Sequence, residues 1–305
     1  MNTFARPSLR SHLLRLAVRW LIAPTVNGDA PVARRRQRLE RIARLSRLPL
    51  PPCTRIESTT LRGVPADWVR NPRVGHPRTV LYFHGGAYAL GSPQVYREFA
   101  AHLARAWQAA VALVDYRLAP EHPYPAAAKD ALNAYQALLE QGIPAQTIVI
   151  AGDSAGGGLT LACALQARDG GLPLPAALVL FSPWVDLAVG GESARRMGRD
   201  DMLDAQRLRA AGADYLAGAP ADTPLASPLF ADLRGLPRTL TVVTDHEILY
   251  DDAVRLHDAL IKSGSPSELR VYQGLWHVWP LFAGKLPEAD AALADAAAFL
   301  ARGAA

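Results

Sequence analysis

Residues 147–156, Thr-Ile-Val-Ile-Ala-Gly-Asp-Ser-Ala-Gly, decide the fold of this chain of 305 residues. The first five are apolar or β-branched, as is typical of a central strand in a parallel sheet, and residues 159–167 have the composition of a helix. Ser154 is therefore predicted at the tip of a tight strand-to-helix turn, the arrangement called a nucleophile elbow. The flanking glycines permit a turn that larger side chains would obstruct. We predict that Ser154 is a catalytic nucleophile.

Strands and helices alternate along much of the remaining chain. Further strands are predicted at 79–84, 109–114, 176–181, 238–244 and 268–272, and helices at 94–107, 125–141, 155–168, 250–263 and 287–301. An antiparallel strand pair is predicted at 56–61 and 66–70, on either side of Gly63. Repeated strand-helix-strand units predict an α/β fold with a mostly parallel sheet and helices on both faces.

Two segments lie outside this alternation. Residues 184–230 contain a polar loop, a helix near 203–216 and a proline-rich return. We predict that this insertion folds over the carboxyl edge of the sheet. Residues 1–50, called the N-terminal arm below, precede the first strand. The predicted organisation is therefore a helical cap arm at 1–50 and a catalytic domain at 51–305, with a cap insertion near 184–230.

A serine hydroxyl is a weak nucleophile by itself, so a catalytic Ser154 needs a base and hydrogen-bond donors for the developing oxyanion. The sequence His84-Gly85-Gly86 stands at the end of the predicted strand 79–84. Backbone N–H groups without bulky side chains can point into a cleft there. We predict that the N–H groups of Gly85, Gly86 and Ala155 form the oxyanion hole.

The best candidate for the base is His277, because it lies in a loop after the last predicted strand and such a loop reaches the carboxyl edge of the sheet. Six further histidines are not predicted as the base. They lie on helices (His12, His102 and His257), before the catalytic core (His76), in a proline-rich stretch (His122) or beside the candidate acids (His246).

The imidazole also needs a buried acid that selects its tautomer. Asp245, Glu247 and Asp251 all follow the predicted strand 238–244, and each preserves the chain order nucleophile, acid, histidine. Spacing alone leaves the choice among them open. His246 and Glu247 do not begin a zinc-binding H-E-x-x-H motif, since position 250 is tyrosine, and we expect no metal.

Three segments together carry a family resemblance. His84-Gly85-Gly86, residues 115–127 (Asp-Tyr-Arg-Leu-Ala-Pro-Glu-His-Pro-Tyr-Pro-Ala-Ala) and residues 152–156 resemble bacterial esterases of the hormone-sensitive-lipase family. The resemblance extends over roughly residues 55 to 300. It implies an α/β-hydrolase fold whose cap is formed by the arm and the insertion. It also implies hydrolysis of short to medium acyl esters without a cofactor, with Ser154 as nucleophile and His277 as base.

The resemblance also bears on the acid. The family's acid is typically the first Asp of Asp-Pro-Leu-x-Asp, and this chain has Glu247-Ile248-Leu249-Tyr250-Asp251 there. Glu247 is thus the implied acid, with Asp245 as a competitor. The family usually has a third glycine where this chain has Ala87, a change expected to alter the acyl pocket rather than the oxyanion donors. Asp186 matches a family segment at the start of the cap insertion and is expected to be structural.

Substrate specificity is the least determined property. Five aromatic residues near the predicted site are candidate pocket residues: Tyr88, Trp184, Tyr215, Trp276 and Trp279.

Amide hydrolysis, such as removal of an N-acetyl or N-formyl group, is an alternative function because the same site can protonate an amine. A second alternative is a non-catalytic ligand receptor, as in the plant gibberellin receptors, which resemble the family but lack the catalytic histidine. The presence of His277 disfavours it.

The N-terminal arm concentrates positive charge. It contains eleven arginines, Asp29 and Glu40, and so carries a net charge of +9 against −4 for the remaining chain. Residues 9–22 are predicted as an amphipathic helix with Leu9, Leu13, Leu16 and Trp20 on one face. A second helix is predicted from 34 to 47. We expect the apolar faces to be covered by the core or another subunit, with the basic faces in solvent. An interfacial lipase whose arm contacts a membrane is a further alternative.

Location and partners follow from composition. Two cysteines, Cys53 and Cys163, provide no disulfide framework, and we expect a cytoplasmic protein. Arginines interrupt residues 9–22 too often for a secretory signal, and we expect neither export nor membrane insertion. No recognition motif accompanies the charge, so we expect no nucleic-acid partner. The edge strand 268–272 offers a route to a homodimer.

Overall fold

One eight-stranded sheet organises the chain, and the computed structural model describes residues 7–46, 48–73 and 75–302. The strands are β1 (Arg55–Leu61), β2 (Val64–Arg70), β3 (Arg78–Phe83), β4 (Ala109–Val114), β5 (Ile148–Asp153), β6 (Ala177–Phe181), β7 (Thr239–Thr244) and β8 (Ser267–Tyr272). Their order in the sheet is β1-β2-β4-β3-β5-β6-β7-β8. Only the pairs β1–β2 and β2–β4 are antiparallel. The predicted mostly parallel sheet is therefore confirmed, and β8 lies at an edge.

Helices cover both faces of this sheet and also form much of the arm and of the insertion. They are α1 (Leu9–Ala17), α2 (Ala23–Val26), α3 (Val32–Leu45), α4 (Pro93–Trp107), α5 (Ala126–Glu140), α6 (Ala155–Asp169), α7 (Glu192–Met197), α8 (Ala205–Leu216), α9 (Tyr250–Lys262) and α10 (Pro287–Ala301). A π-helical turn, Val18–Ile22, joins α1 to α2, and the sequence analysis missed both this turn and α7. In the part of the chain that the structure describes, no helix is both long enough and apolar enough to cross a bilayer.

The inner strands are buried on both faces because their side chains alternate between two hydrophobic cores. In β3, Leu81 and Phe83 join the core that contains α5 and α6, whereas Val80 and Tyr82 join the core that contains α4 and α10. Parallel strands end at one edge of the sheet, so the loops after β3, β5, β7 and β8 meet there. This is the edge at which ligands bind in open α/β sheets.

The arm and the insertion between β6 and β7 are hydrogen-bonded to each other above that edge. Asn27 in the arm donates to the Met202 carbonyl oxygen at 2.8 Å and accepts from the Asp204 N–H at 3.2 Å. Arg15 and Arg19 in the arm form ion pairs with the buried carboxylate of Asp201. The two segments therefore form one cap, as the sequence analysis predicted.

Helix α1 presents most of its leucines to solvent rather than to the core of this chain. Leu9, Leu13, Leu16 and Trp20 are exposed, between 50% and 77%, whereas Val18 is fully buried. The inner face of α1 and the following turn combines polar groups with Leu14 and Val18, which pack into the core. Its contacts to the rest of the protein include Ser8 with Glu288, Arg15 with the Gly274 carbonyl oxygen, and Arg15 and Arg19 with Asp201. These contacts, together with the burial of Val18, hold this side of α1 against the core. The core of this chain therefore does not cover Leu9, Leu13 and Leu16, and their coverage by another subunit stays a prediction.

The close approach of α6 to β3 yields a stability prediction. A Cβ atom at Gly156 would overlap the carbonyl oxygen of Phe83, and neither backbone can move without disturbing the sheet. We expect Gly156→Ala to lower the free energy of unfolding by about 2 kcal/mol or more, measured by urea denaturation.

Gly75→Ala is the matched control for that measurement. An added Cβ at Gly75 meets no atom within 4 Å. Its effect should stay within about 0.5 kcal/mol. Equal unfolding midpoints for the two variants would contradict the packing argument.

Candidate active site

Ser154 occupies a strained turn between β5 and α6. Its backbone has φ 51° and ψ −121°, a conformation that non-glycine residues rarely adopt. Surrounding hydrogen bonds hold it there. The Ser154 N–H donates to the Phe181 carbonyl oxygen, and the Ser154 carbonyl oxygen accepts from the Trp184 N–H, both at 2.9 Å. Gly152 is required because a Cβ there would overlap the carbonyl oxygen of Gly156. The turn thus has the geometry expected of a nucleophile elbow.

His277 lies between β8 and the 3-10 helix Trp279–Phe282, and it is buried together with Glu247. The distance from His277 Nδ1 to Glu247 Oε2 is 2.9 Å. This contact engages Nδ1 and leaves Nε2 as the ring nitrogen available for other contacts. His277 and Ser154 both line a cavity of about 170 Å³. The structure therefore brings the predicted nucleophile and base to one cavity, with a carboxylate behind the base.

The charge around His277 favours its protonated form. Burial lowers the pKa of His277, but the hydrogen bond and charge of Glu247, with the charges of Asp200 and Asp153, outweigh burial and raise the pKa above its ordinary value. Burial also raises the pKa of the Glu247 carboxyl, and the hydrogen bond to His277 opposes that rise. An imidazolium formed at this position is thus stabilised by three carboxylates.

The other two candidate acids lie elsewhere. Asp245 is exposed, and its carboxylate accepts from the Gly274 N–H at 2.7 Å. Asp251 lies in the first turn of α9 and accepts from the Ser193 N–H at 2.6 Å. Among the described residues, Glu247 is the one of the three that contacts His277.

The loop after β3 differs from the predicted oxyanion hole at one position. The Gly85 N–H lies 3.0 Å from both Asp153 Oδ1 and Tyr96 Oη, so its single hydrogen is directed into the protein. The next three residues have positive φ: Gly86 118°, Ala87 54° and Tyr88 57°. Within residues 7–46, 48–73 and 75–302, the Gly86 and Ala87 N–H groups have no acceptor. The Gly85 N–H, which was predicted as a donor, is therefore already engaged within the protein, whereas the N–H groups of Gly86 and Ala87 are free to donate to a ligand.

Asp153 is a residue whose importance the sequence analysis missed. Its buried carboxylate accepts hydrogen bonds from Tyr82 Oη at 2.8 Å, Tyr96 Oη at 2.9 Å and the Gly85 N–H at 3.0 Å. Burial raises the pKa of Asp153 to about 6, and the three donors oppose that rise. The sequence feature that could have identified Asp153 is a charged residue at the end of an otherwise apolar strand. Asp153 connects the turn that carries Ser154 to the loop that carries Gly86.

Asp200 in the cap insertion is a second missed residue. Its carboxylate accepts from the N–H groups of Met202 at 2.8 Å, Leu203 at 2.6 Å and Ile248 at 2.9 Å. Ile248 directly follows Glu247, so the cap insertion holds the loop that carries the acid. Burial raises the pKa of Asp200, and the nearby His277 opposes the rise. No local motif marks this residue, because its partner lies 48 positions away.

The predicted aromatic pocket residues do not line the cavity, and that prediction is wrong. All five are at most 1% exposed and pack into the cores: Tyr88, Trp184, Tyr215, Trp276 and Trp279. Tyr88 stacks on Tyr215 with ring centroids 3.8 Å apart, and Trp184 Nε1 donates to the Asp186 carbonyl oxygen. The apolar side chains that do line the cavity come from the arm, from α4, from the cap insertion and from the segment after His277: Ile22, Leu39, Ile42, Val95, Phe99, Leu203, Leu208, Leu281 and Phe282.

The described residues contain no group of three or more His, Cys, Asp or Glu side chains arranged to hold a metal ion. The reactive groups that the site does contain are a serine hydroxyl, an imidazole and a carboxylate. These three groups, with free backbone N–H groups beside them, can carry out acyl transfer by a covalent intermediate.

Comparisons with known proteins agree with this geometry. A family model described as an alpha/beta hydrolase fold matches residues 80–281. The crystal structure of an esterase from the bacterial hormone-sensitive-lipase family superimposes with a TM-score of 0.92 and 36% sequence identity, covering 98% of this chain and 100% of that chain. The chain belongs to this family of α/β-hydrolases. The family resemblance and the α/β-hydrolase fold predicted from sequence are both confirmed.

Two curated relatives are similar over most of their length. An acetyl-hydrolase from Streptomyces hygroscopicus is 48% identical over 236 residues, which is 77% of this chain and 79% of the relative. An esterase from Acinetobacter venetianus is 38% identical over 264 residues, which is 86% of both chains. Each relative thus matches more than three quarters of this chain.

The position of Asp200 yields a prediction about pH dependence. Asp200→Asn removes a negative charge that raises the pKa of His277, and it replaces the oxygen that accepts from the Ile248 N–H. A lower pKa leaves the imidazole unprotonated at lower pH. We expect the acid limb of the kcat/KM profile for a soluble ester to move to lower pH and the plateau to fall about tenfold.

Asp222→Asn is the control, because Asp222 is exposed and lies in the loop after α8. It should leave both the limb and the plateau unchanged. A reduced plateau with an unmoved acid limb in Asp200→Asn would mean that Asp200 has no electrostatic effect on the base.

Proposed function

We propose that Ser154, His277 and Glu247 form the catalytic triad of this carboxylic ester hydrolase. Membership in the family makes the chain an esterase, and the proposal concerns which residues perform the reaction. The observation that carries it is the 2.9 Å contact between His277 Nδ1 and the buried Glu247 carboxylate, next to the cavity that Ser154 lines. Glu247 replaces the aspartate usual in the family and is one methylene longer.

In the proposed acylation, His277 Nε2 accepts the proton of Ser154 Oγ as that oxygen attacks the ester carbonyl carbon. Negative charge develops on the carbonyl oxygen. The N–H groups of Gly86, Ala87 and Ala155 donate to that oxygen, Ala155 because it is the first residue of α6 and its N–H has no partner within the helix. Each such donor is worth on the order of 100-fold in turnover.

The tetrahedral intermediate then collapses. The protonated His277 gives its proton to the leaving alcohol, and the acyl group remains on Ser154. A water molecule gives its proton to His277 and attacks the acyl carbon, and collapse of the second intermediate releases the acid and restores the Ser154 hydroxyl. Protons, bonds and electrons balance without a cofactor, and none is proposed.

We propose short to medium acyl esters as substrates. The cavity of about 170 Å³ beside Ser154 is lined mostly by apolar side chains, which suits an acyl chain. A second cavity of about 240 Å³ shares Gly86 and Ala87 with the first and includes Arg35, Arg207 and Asp214. Its more polar lining suits the alcohol portion. The Streptomyces relative is named an acetyl-hydrolase, which is consistent with a short acyl group.

Several sequence-based expectations stay proposals. These are a cytoplasmic location, the division into parts at 1–50 and 51–305, homodimerisation through edge strand β8, and peripheral contact of the arm with a membrane. The position of β8 at the end of the sheet supports the third. Amide hydrolysis also stays open, because the protonated His277 can donate to an amine, and matched ester and amide substrates distinguish the two reactions.

The triad is tested with p-nitrophenyl esters from acetate to palmitate. Ser154→Ala and His277→Ala should each lower kcat by at least about 10³-fold, and Glu247→Gln by at least about 10²-fold, because the reaction needs all three as a unit. Activity of the wild type should peak at short acyl chains.

Asp245→Asn is the control, since Asp245 is an exposed acid of the same loop. Its kcat should stay within about twofold of the wild type. An inactive Asp245→Asn together with an active Glu247→Gln would contradict the assignment of the acid. Full wild-type activity on an amide substrate and none on its ester counterpart would replace the proposed reaction by amide hydrolysis.

A further inference from the structure

Exposed large apolar side chains are concentrated on the arm. Of the nine such residues in the described part of the chain, seven lie there: Leu9, Leu13, Leu16, Trp20, Leu21, Leu45 and Leu48. Single exposed apolar residues are normal on protein surfaces, but a contiguous group marks a binding surface. The outer face of α1 and the following turn, defined by Leu9, Leu13, Leu16 and Trp20, is called the apolar stripe below.

The apolar stripe cannot turn inward without breaking buried ionic contacts. On the opposite side of the same helix, Arg15 and Arg19 pair with Asp201, whose side chain is 1% exposed. Arg15 also donates to the Gly274 carbonyl oxygen. Rotation of α1 would leave the Asp201 carboxylate buried without a cation, which is strongly unfavourable. The exposure of the stripe is therefore a fixed property of the folded chain.

The arm that carries the stripe also carries exposed positive charge. Five arginines of the arm are exposed and none of them has an acidic partner within the described residues: Arg10, Arg34, Arg38, Arg41 and Arg44. Helices that bind at a membrane surface combine leucine and tryptophan on one face with arginine or lysine beside it. Each basic residue near an anionic lipid surface adds to the attraction.

The charge favours a lipid surface over a second copy of the chain. Five exposed arginines of the arm have no acidic partner within the described residues, so two arms packed against each other would repel. An anionic surface neutralises this charge and at the same time accepts leucine and tryptophan at its headgroup boundary. We propose that the apolar stripe and the exposed arginines of the arm dock on an anionic phospholipid surface.

The docking surface lies next to the cavity of the candidate site. Ile22, directly after the stripe, lines the cavity, as do Leu39 and Ile42 of α3. A docked arm thus brings one wall of the cavity to the lipid surface. The proposal thus implies that the esters hydrolysed at Ser154 are drawn from that surface. This consequence rests on the proposed function, whereas the docking itself does not.

Docking is measured by co-sedimentation with vesicles of phosphatidylcholine alone and of phosphatidylcholine mixed with phosphatidylglycerol. The full chain carries Ser154→Ala, so binding is scored without turnover. We expect at least about tenfold tighter binding to the mixed vesicles, and loss of that difference at high salt. Leu13→Gln with Leu16→Gln should weaken binding at least about tenfold, and Arg38→Gln with Arg41→Gln should reduce the preference for phosphatidylglycerol.

Ile261→Gln is the matched control, because Ile261 is an exposed large apolar residue outside the arm, and its variant should bind like the parent.

Hydrolysis of p-nitrophenyl acetate by the same variants, made in the chain that retains Ser154, separates the docking proposal from the proposed function. Failure of docking leaves that rate unchanged. The proposal is overturned if the parent binds both vesicle types equally. It is also overturned if Leu13→Gln with Leu16→Gln binds as tightly as the parent. A dimer in sedimentation velocity that the leucine variant converts to monomer also overturns it and assigns the stripe to a second copy.

Discussion

The buried carboxylate of Asp153 joins two of the loops from which the site is built, the turn that carries Ser154 and the loop after β3. It belongs to the residue before Ser154, and it accepts from the Gly85 N–H in the loop after β3 and from the hydroxyls of Tyr82 and Tyr96. A buried carboxylate is stable only when it is hydrogen-bonded, so these contacts must form together. Because β3, β5 and α4 each contribute a partner, the position of the nucleophile depends on the packing of the whole central sheet.

A second pair of carboxylates fastens the cap to this centre. Asp200 accepts from the Ile248 N–H, next to the acid Glu247, while its neighbour Asp201 pairs with Arg15 and Arg19 of the arm. The cap insertion is thus attached on one side to the loop of the acid and on the other side to the arm. Residues widely separated in the chain therefore share one electrostatic network, and the pKa of His277 reports on part of it.

Features of this chain that depend on local sequence were predictable, whereas features that depend on contacts between distant segments were not. The strands and their order in the chain were predictable because a fully buried strand needs an uninterrupted apolar run, which is a local property. The direction of the Gly85 N–H was not, because a glycine-rich loop allows several N–H directions and only the fold brings Asp153 within reach of Gly85. The five aromatic residues were misplaced for a related reason, since their size suits a cavity wall and a packed core equally well.

The sequence by itself determined the alternation of strands and helices, the sharp turn at Ser154 and the position of His277 after the last strand. These properties depend on residues that are neighbours in the chain, and local sterics and hydrophobic periodicity are sufficient to specify them. The tertiary structure decided that Glu247 contacts His277, that Gly85 is engaged by Asp153, and that α1 presents its leucines outward. Each of these depends on which distant segments meet, because a hydrogen bond or ion pair forms only between groups that folding brings within reach.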